Sequence, residues 1–118
     1  MKLIVAGGRD FNDWDLLNRT LTKILERTQI KEVISGKAKG ADTLGERFAS
    51  ENGIPVKEFP ADWIKYGKRA GYLRNKQMAN HGEALVAFWD GKSPGTKMMI
   101  DLAKELGLKV LVVKYMAG

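Results

Sequence analysis

The chain changes its hydrophobic period eight times, and always between the same two patterns. Short β-rich apolar runs, "KLIVAG", "EVISG", "IPVKEF", "ALVAFW" and "KVLVVKY", alternate with longer stretches patterned for helices. The helical stretches are "DWDLLNRTLTKILERT", "ADTLGERFASENG", "AGYLRNKQMANHG" and "SPGTKMMIDLAKELG". This predicts five strands and four helices. The strands do not alternate apolar with polar, so they are expected to be buried on both faces of a parallel sheet. Strict βαβ alternation with right-handed crossovers then gives an α/β, Rossmann-like three-layer sandwich, most simply with strand order 3-2-1-4-5.

Local signals place the ends of these elements. In the first helix Trp14, Leu17, Leu21, Ile24 and Leu25 form one stripe behind an Asn12 or Asp13 cap. Met99, Leu102, Ala103 and Leu106 repeat the pattern in the last helix, and "NG", "HG" and "LG" stop three helices. His81, the only histidine, precedes Gly82 and reads as a C-terminal cap. With 118 residues and no linker, repeat or low-complexity tract, one domain is expected.

In such a sheet, ligands bind beyond the carboxyl ends of the strands, where the strand order reverses. The loops that follow strands therefore carry the chemistry. After strand 1 comes "GGRDF", in which Gly7 and Gly8 allow close approach and Arg9 offers a planar fork for phosphate or carboxylate. After strand 2 comes "SGKAKGAD": Ser35 and Gly36 end the strand, Lys37 and Lys39 add charge, and Gly40, Ala41 and Asp42 open a helix whose N-terminus favours anions. It is not a Walker loop, because G-x-x-x-x-G-K-[ST] is absent.

After strand 3 a long segment interleaves Trp63, Tyr66 and Tyr72 with Lys65, Lys68, Arg69, Arg74 and Lys76, a mixture suited to stacking on a base beside a phosphate. After strand 4 comes "DGKSPGT". Ser93 is a candidate cap and Pro94 suits a first helical turn, while the amides near Gly95 and Thr96 would face strand 1's loop. A plain turn explains those residues almost as well; their place across the switch point from "GGRD" favours a phosphate cradle.

Charge points the same way. The net charge is +6, and residues 7–10, 35–42, 62–76 and 91–97 hold ten of the twenty Lys and Arg but only three of the fourteen Asp and Glu. Anionic partners follow. There is no cysteine, so disulfides, thiolate metal sites and thiol nucleophiles are excluded. The aspartates show no distinctive ligand spacing, so neither a metal nor a cofactor is expected. No run suits a signal peptide or a membrane span, which reads as a cytoplasmic protein without membrane contact.

Together, "GGRDF", "SGKAKGAD", "FPADWIKYGKRAG", "RNKQMA" and "AFWDGKSPGT" resemble the YspA-like branch of the SLOG superfamily, which also holds the Smf/DprA DNA-processing proteins and the Lonely Guy phosphoribohydrolases. The resemblance implies a Rossmann-like fold over residues 1–118 and a site for a nucleotide or nucleotide-derived ligand. It also implies a phage or mobile-element setting and a homodimer or higher homo-oligomer.

By the same resemblance, "RNKQM" places Arg74 where Lonely Guy enzymes carry their catalytic arginine, followed here by Asn75. "GKSPGTKMM" resembles their P-G-G-x-G-T-x-x-E motif, with Gly91, Gly95 and Thr96 at phosphate-binding positions and Lys92 and Ser93 between them. The motif's glutamate falls on Met99, and the acidic residue before it on Met98. Cleaving an N-glycosidic bond needs a carboxylate to support the oxocarbenium-like sugar or to activate water, and a thioether does neither.

The leading expectation is thus a nucleotide-binding module that senses or sequesters its ligand, with phosphate on the amides of 91–96 and the base near 35–42 or near Trp63 and Tyr66. A second is an N-glycoside hydrolase that uses Arg74 and a displaced aspartate, Asp10 or Asp90. A third, from the basic aromatic stretch, is a module for single-stranded nucleic acid.

Overall fold

The computed structural model describes residues 1–116. Five parallel strands, β1 (Lys2–Gly7), β2 (Glu32–Ser35), β3 (Val56–Glu58), β4 (Ala84–Trp89) and β5 (Lys109–Lys114), form one sheet in the order β3-β2-β1-β4-β5. This is the expected Rossmann-like arrangement. The order reverses between β1 and β4, whose register runs from Leu3 opposite Ala84 to Gly7 opposite Phe88.

Helices α1 (Trp14–Arg27) and α2 (Ala41–Glu51) cover one face, where Leu17, Leu21 and Phe48 pack on Leu3, Val5, Val33 and Val86. On the other face, α4 (Ala70–His81) and α5 (Pro94–Glu105) set Met78, Met99 and Ile100 against Ile4, Ile34 and Leu85. Leu17 and Leu21 are 0% exposed, and removing each from water contributes about 2 kcal/mol. The α1 cap is Asp13, whose Oδ1 accepts the Leu16 amide at 3.0 Å. At Gly45 helix α2 closes on the sheet so tightly that a Cβ there would lie 2.8 Å from Val5 Cγ1.

The structure departs from the sequence expectations in four places. Residues 63–69 are not loop: they form a one-turn helix α3 (Trp63–Tyr66), capped by Asp62, and a 3-10 turn (Gly67–Arg69), so the described residues hold five α-helices. Burial on both faces holds for β1, β2 and β4 but not for the edge strands; Leu111 in β5 is 46% exposed. Leu106 lies outside the buried stripe of α5, at its C-cap. His81 caps nothing: its Nε2 pairs with Glu32 Oε1 at 2.6 Å, and Gly82 donates the capping N–H to the Met78 carbonyl. Among the described residues no helix is long and apolar enough to cross a membrane.

Candidate functional site

At the switch point a cleft of about 670 Å³ opens between the carboxyl ends of β1 and β4, the start of α5 and the first turns of α4. Its walls include Gly7, Gly8, Arg9, Asp10, Asp42, Trp63, Arg74, Asn75, Asp90, Ser93, Gly95 and Thr96. Four loops far apart in sequence therefore meet at one place.

The β1–α1 loop is held by backbone. Gly8 donates its N–H to the Phe88 carbonyl at 3.1 Å, and a Cβ on Gly7 would lie 2.4 Å from that same oxygen. A Cβ on Gly8 would meet the Tyr115 hydroxyl. Both glycines line the cleft, yet the close approaches that require them are to the protein's own chain rather than to a ligand. Tyr115, just beyond β5, stacks edge-on with Phe11 at 4.9 Å and donates its hydroxyl hydrogen to Asp10 Oδ1. Burial, with the Asp10 carboxylate adding to it, raises the Tyr115 pKa well above the ordinary phenol value. Arg9 forms no ion pair among the described residues.

The β2–α2 loop divides its predicted residues between support and lining. Ser35 is buried; its hydroxyl donates to Glu46 Oε2 at 2.6 Å and accepts the Lys37 amide at 3.1 Å. That second bond holds Lys37 in a left-handed conformation, φ +61. The Lys37 ammonium is neutralised by Glu46 at 2.9 Å and Glu58 at 3.2 Å. At the start of α2 the Ala41 amide is taken, donating to the Gly8 carbonyl at 3.3 Å, and Gly40 packs on the same loop, whereas the Asp42 and Thr43 amides have no backbone acceptor among the described residues. Ser35, Gly40 and Ala41 are therefore a frame beneath the site, not its wall.

Asp42 does reach the cleft, and not as a helix cap. It is only 5% exposed, and its Oδ2 accepts the Ala38 amide at 3.3 Å. Burial pushes its pKa up to about 6, against the opposing pull of the Ala38 amide and the Arg74 charge. Facing it from α4, Arg74 donates through Nε to Asn75 Oδ1 at 2.8 Å and through Nη1 to the Gly36 carbonyl. Burial lowers the Arg74 pKa, the nearby Arg9 charge adds to that, and Asp42 opposes it. Because the Asn75 oxygen faces Arg74, its amide nitrogen faces away, and it has no protein acceptor among the described residues.

On the far bank Asp90 Oδ1 accepts the amides of Lys92 at 2.8 Å and Ser93 at 2.7 Å. Those two bonds, Ser93's first, hold the Asp90 pKa below the ordinary carboxylate value. Ser93 stands at the N-cap, but its side chain caps no amide; its Oγ lies 3.5 Å from Thr96 Oγ1. The Ser93 carbonyl takes the Trp89 indole N–H at 3.0 Å and the Lys97 amide at 3.1 Å. Pro94 has no N–H, and the amides of Gly95 and Thr96, lying in the first turn ahead of the first intrahelical bond from Lys97, are without a backbone acceptor among the described residues. Of residues 91–96, only Ser93–Thr96 line the cleft; Gly91, at φ +84, and Lys92 form the turn behind them.

Tyr66 lies outside the cleft, half-exposed beneath Lys65, because the α3 turn faces it away. Tyr72 and Lys68 take the place expected of it, and Met78, Met98 and Met99 make an apolar floor. The aromatic and basic composition of 62–76 signalled this wall but not which residues of it point inward. Met99 is core, as its helical spacing indicates, and lines the cleft as well.

The model of the YspA, cpYpsA-related SLOG family matches residues 1–66. The chain is 32% identical over 117 residues to the Gene 61 protein of Mycobacterium phage D29, covering 93% of this chain and 94% of that one. No solved structure matches the chain. With a Rossmann-like sheet, Gly-rich loops at its carboxyl edge and these two matches, the chain belongs to the YspA, cpYpsA-related SLOG family.

Proposed function

We propose that this protein binds a nucleotide or nucleotide-derived small molecule in the switch-point cleft, as a sensor or sequestering module. One observation carries the reading: the open Gly95 and Thr96 amides lie in the same cleft as Arg9 and Arg74, neither of which forms an ion pair among the described residues. Helix-terminal amides and guanidinium forks both recognise phosphate oxygens. The Asn75 amide nitrogen adds a donor, and Trp63, Tyr72 and the methionine floor give a flat base apolar surface to cover. SLOG membership supports a nucleotide-related ligand.

Calorimetric titration with nucleoside monophosphates tests this. Arg9 is exposed and holds no other part of the fold, so Arg9→Gln is expected to weaken binding by roughly 10- to 100-fold, the worth of a charge-assisted hydrogen bond, with the thermal midpoint unchanged. Absence of binding by any nucleotide would sink the proposal.

A second reading, hydrolysis of an N-glycosidic bond, is favoured by Asp42. Asp10 and Asp90 each hold an oxygen on a neighbour at the cleft rim, whereas Asp42 is a buried carboxyl beside Arg74 with a pKa of about 6. That pKa suits a general base near neutral pH. In this reaction water attacks the sugar's anomeric carbon and gives its proton to Asp42; the C–N bond breaks and the base leaves with the electron pair. Free base released from nucleoside monophosphates, and lost in Asp42→Asn while binding persists, is the expected result. No release at high protein concentration would leave the binding function alone.

A further inference from the structure

Beside the main cleft lies a second cavity of about 400 Å³, between the β2–α2 loop and the Pro60–Trp63 segment. The two are lobes of one groove, sharing Arg9, Ala38, Trp63 and Arg74 as their common wall. Their charges differ. The main cleft sets Asp10, Asp42 and Asp90 against Arg9, Lys68 and Arg74, whereas no acidic residue lines the second lobe, which has Arg9, Lys37, Lys39 and Arg74.

Lys37 is compensated by its two glutamates, but Arg9, Lys39 and Arg74 form no ion pair among the described residues. Arg9 and Lys39 have no facing carboxylate in this lobe, and Arg74 is faced by Asp42 only from the main cleft; the three cations, from three separate elements, repel one another, and a cavity is left where they converge. A single phosphate on the Gly95 and Thr96 amides would leave this second lobe unfilled, although by volume it falls within the range of small-molecule sites.

We infer that the ligand carries a second phosphoryl group, which occupies the lobe formed by Arg9, Lys39 and Arg74. The ligand class is then a nucleoside diphosphate or a pyrophosphate-bridged nucleotide conjugate rather than a monophosphate. This rests on the nucleotide reading above and narrows it. Arg9 and Arg74, on the wall between the lobes, bridge the two phosphoryl groups, and Lys39 meets the outer one alone. In a conjugate, whatever is attached to the outer phosphoryl group stacks on the Trp63 ring, which is 51% exposed and borders both lobes.

Calorimetry of the full chain at low ionic strength with AMP, ADP and diadenosine diphosphate, and with the matching guanosine series, tests the inference. The diphosphates are expected to bind at least about tenfold more tightly than the monophosphate of the same base. Lys39→Gln is expected to bring that ratio towards one, whereas Lys104→Gln, an equal charge change on α5, keeps it. If ADP exceeds diadenosine diphosphate, the outer group is a free phosphate; the opposite order identifies a conjugate. Equal affinity for mono- and diphosphates, or a ratio indifferent to Lys39, overturns the inference and leaves nucleotide binding standing. Failure of every nucleotide, monophosphates included, removes both.

Discussion

Gly40→Ala is expected to lower the thermal midpoint by about 12 °C, corresponding to a loss of about 3 kcal/mol. Gly40 has φ +79, a conformation that L side chains rarely adopt, and a Cβ there would lie 2.2 Å from the Gly8 carbonyl oxygen and 2.7 Å from that of Arg9. Both obstacles are backbone and cannot rotate away. The Ala41 amide accompanies them by donating to the Gly8 carbonyl at 3.3 Å, so the joint between the two Gly-rich loops must open if the alanine is to fit. Gly53→Ala is the control: its φ is +66, but nothing lies within 4 Å of a Cβ, so it loses only the conformational term of about 1 kcal/mol. Differential scanning calorimetry compares them. Equal destabilisation of the two variants would mean that the joint bears no strain. Because Arg9 follows directly on Gly8, Gly40→Ala is also expected to weaken nucleotide binding, and Gly53→Ala is not.

The second large effect belongs to Asp42. Its carboxyl titrates near 3.8 when unfolded and at about 6 in the folded protein. Between those values the folded state holds a proton that the unfolded state has released, so stability falls as pH rises from about 4 to 6. The loss approaches about 3 kcal/mol and is constant above that window. Asp42→Asn removes the titration. Urea unfolding from pH 4 to 8 is expected to show the variant more stable than the wild type at pH 7, with the slope between pH 4 and 6 flattened. A variant that tracks the wild type at every pH would show that Asp42 is not the titrating group. Anion binding follows the same group: nucleotide affinity is expected to rise as pH falls through 6, and to lose that rise in Asp42→Asn.

The sheet and its switch point were legible because they depend on local pattern. The apolar runs of β1, β2 and β4 and the stripes of α1 and α5 each fit within a few turns of chain. The edges were less so: β5 reads like β4, and only its lack of a neighbour beyond it exposes Leu111. The site was legible as a set of loops but not in its division of labour. Nothing near residue 42 in the sequence says that this aspartate, rather than Asp10 or Asp90, is buried. Its burial and its facing charge depend on α4 bringing Arg74 to the Gly36 carbonyl, 38 residues away in sequence. The placing of Asp10 similarly awaits a hydroxyl 105 residues away. Loops that pack on loops defeat periodicity, since the partner of each lies outside any window in which a pattern repeats.

That reach from Tyr115 to the first loop sets an order on synthesis. Gly8 waits for Phe88 to supply its carbonyl, and Asp10 for Tyr115 to supply its hydroxyl. At ordinary translation speeds the ribosome takes roughly 5 to 20 s to pass from the first of these residues to the last. Through that interval the nascent chain holds Arg9 on an unfinished loop, beside a central strand that still lacks its β4 neighbour. The walls of the cleft are complete in the emerging chain only once the start of α5 has been made, and the Asp10 side chain gains its partner later still, when Tyr115 arrives.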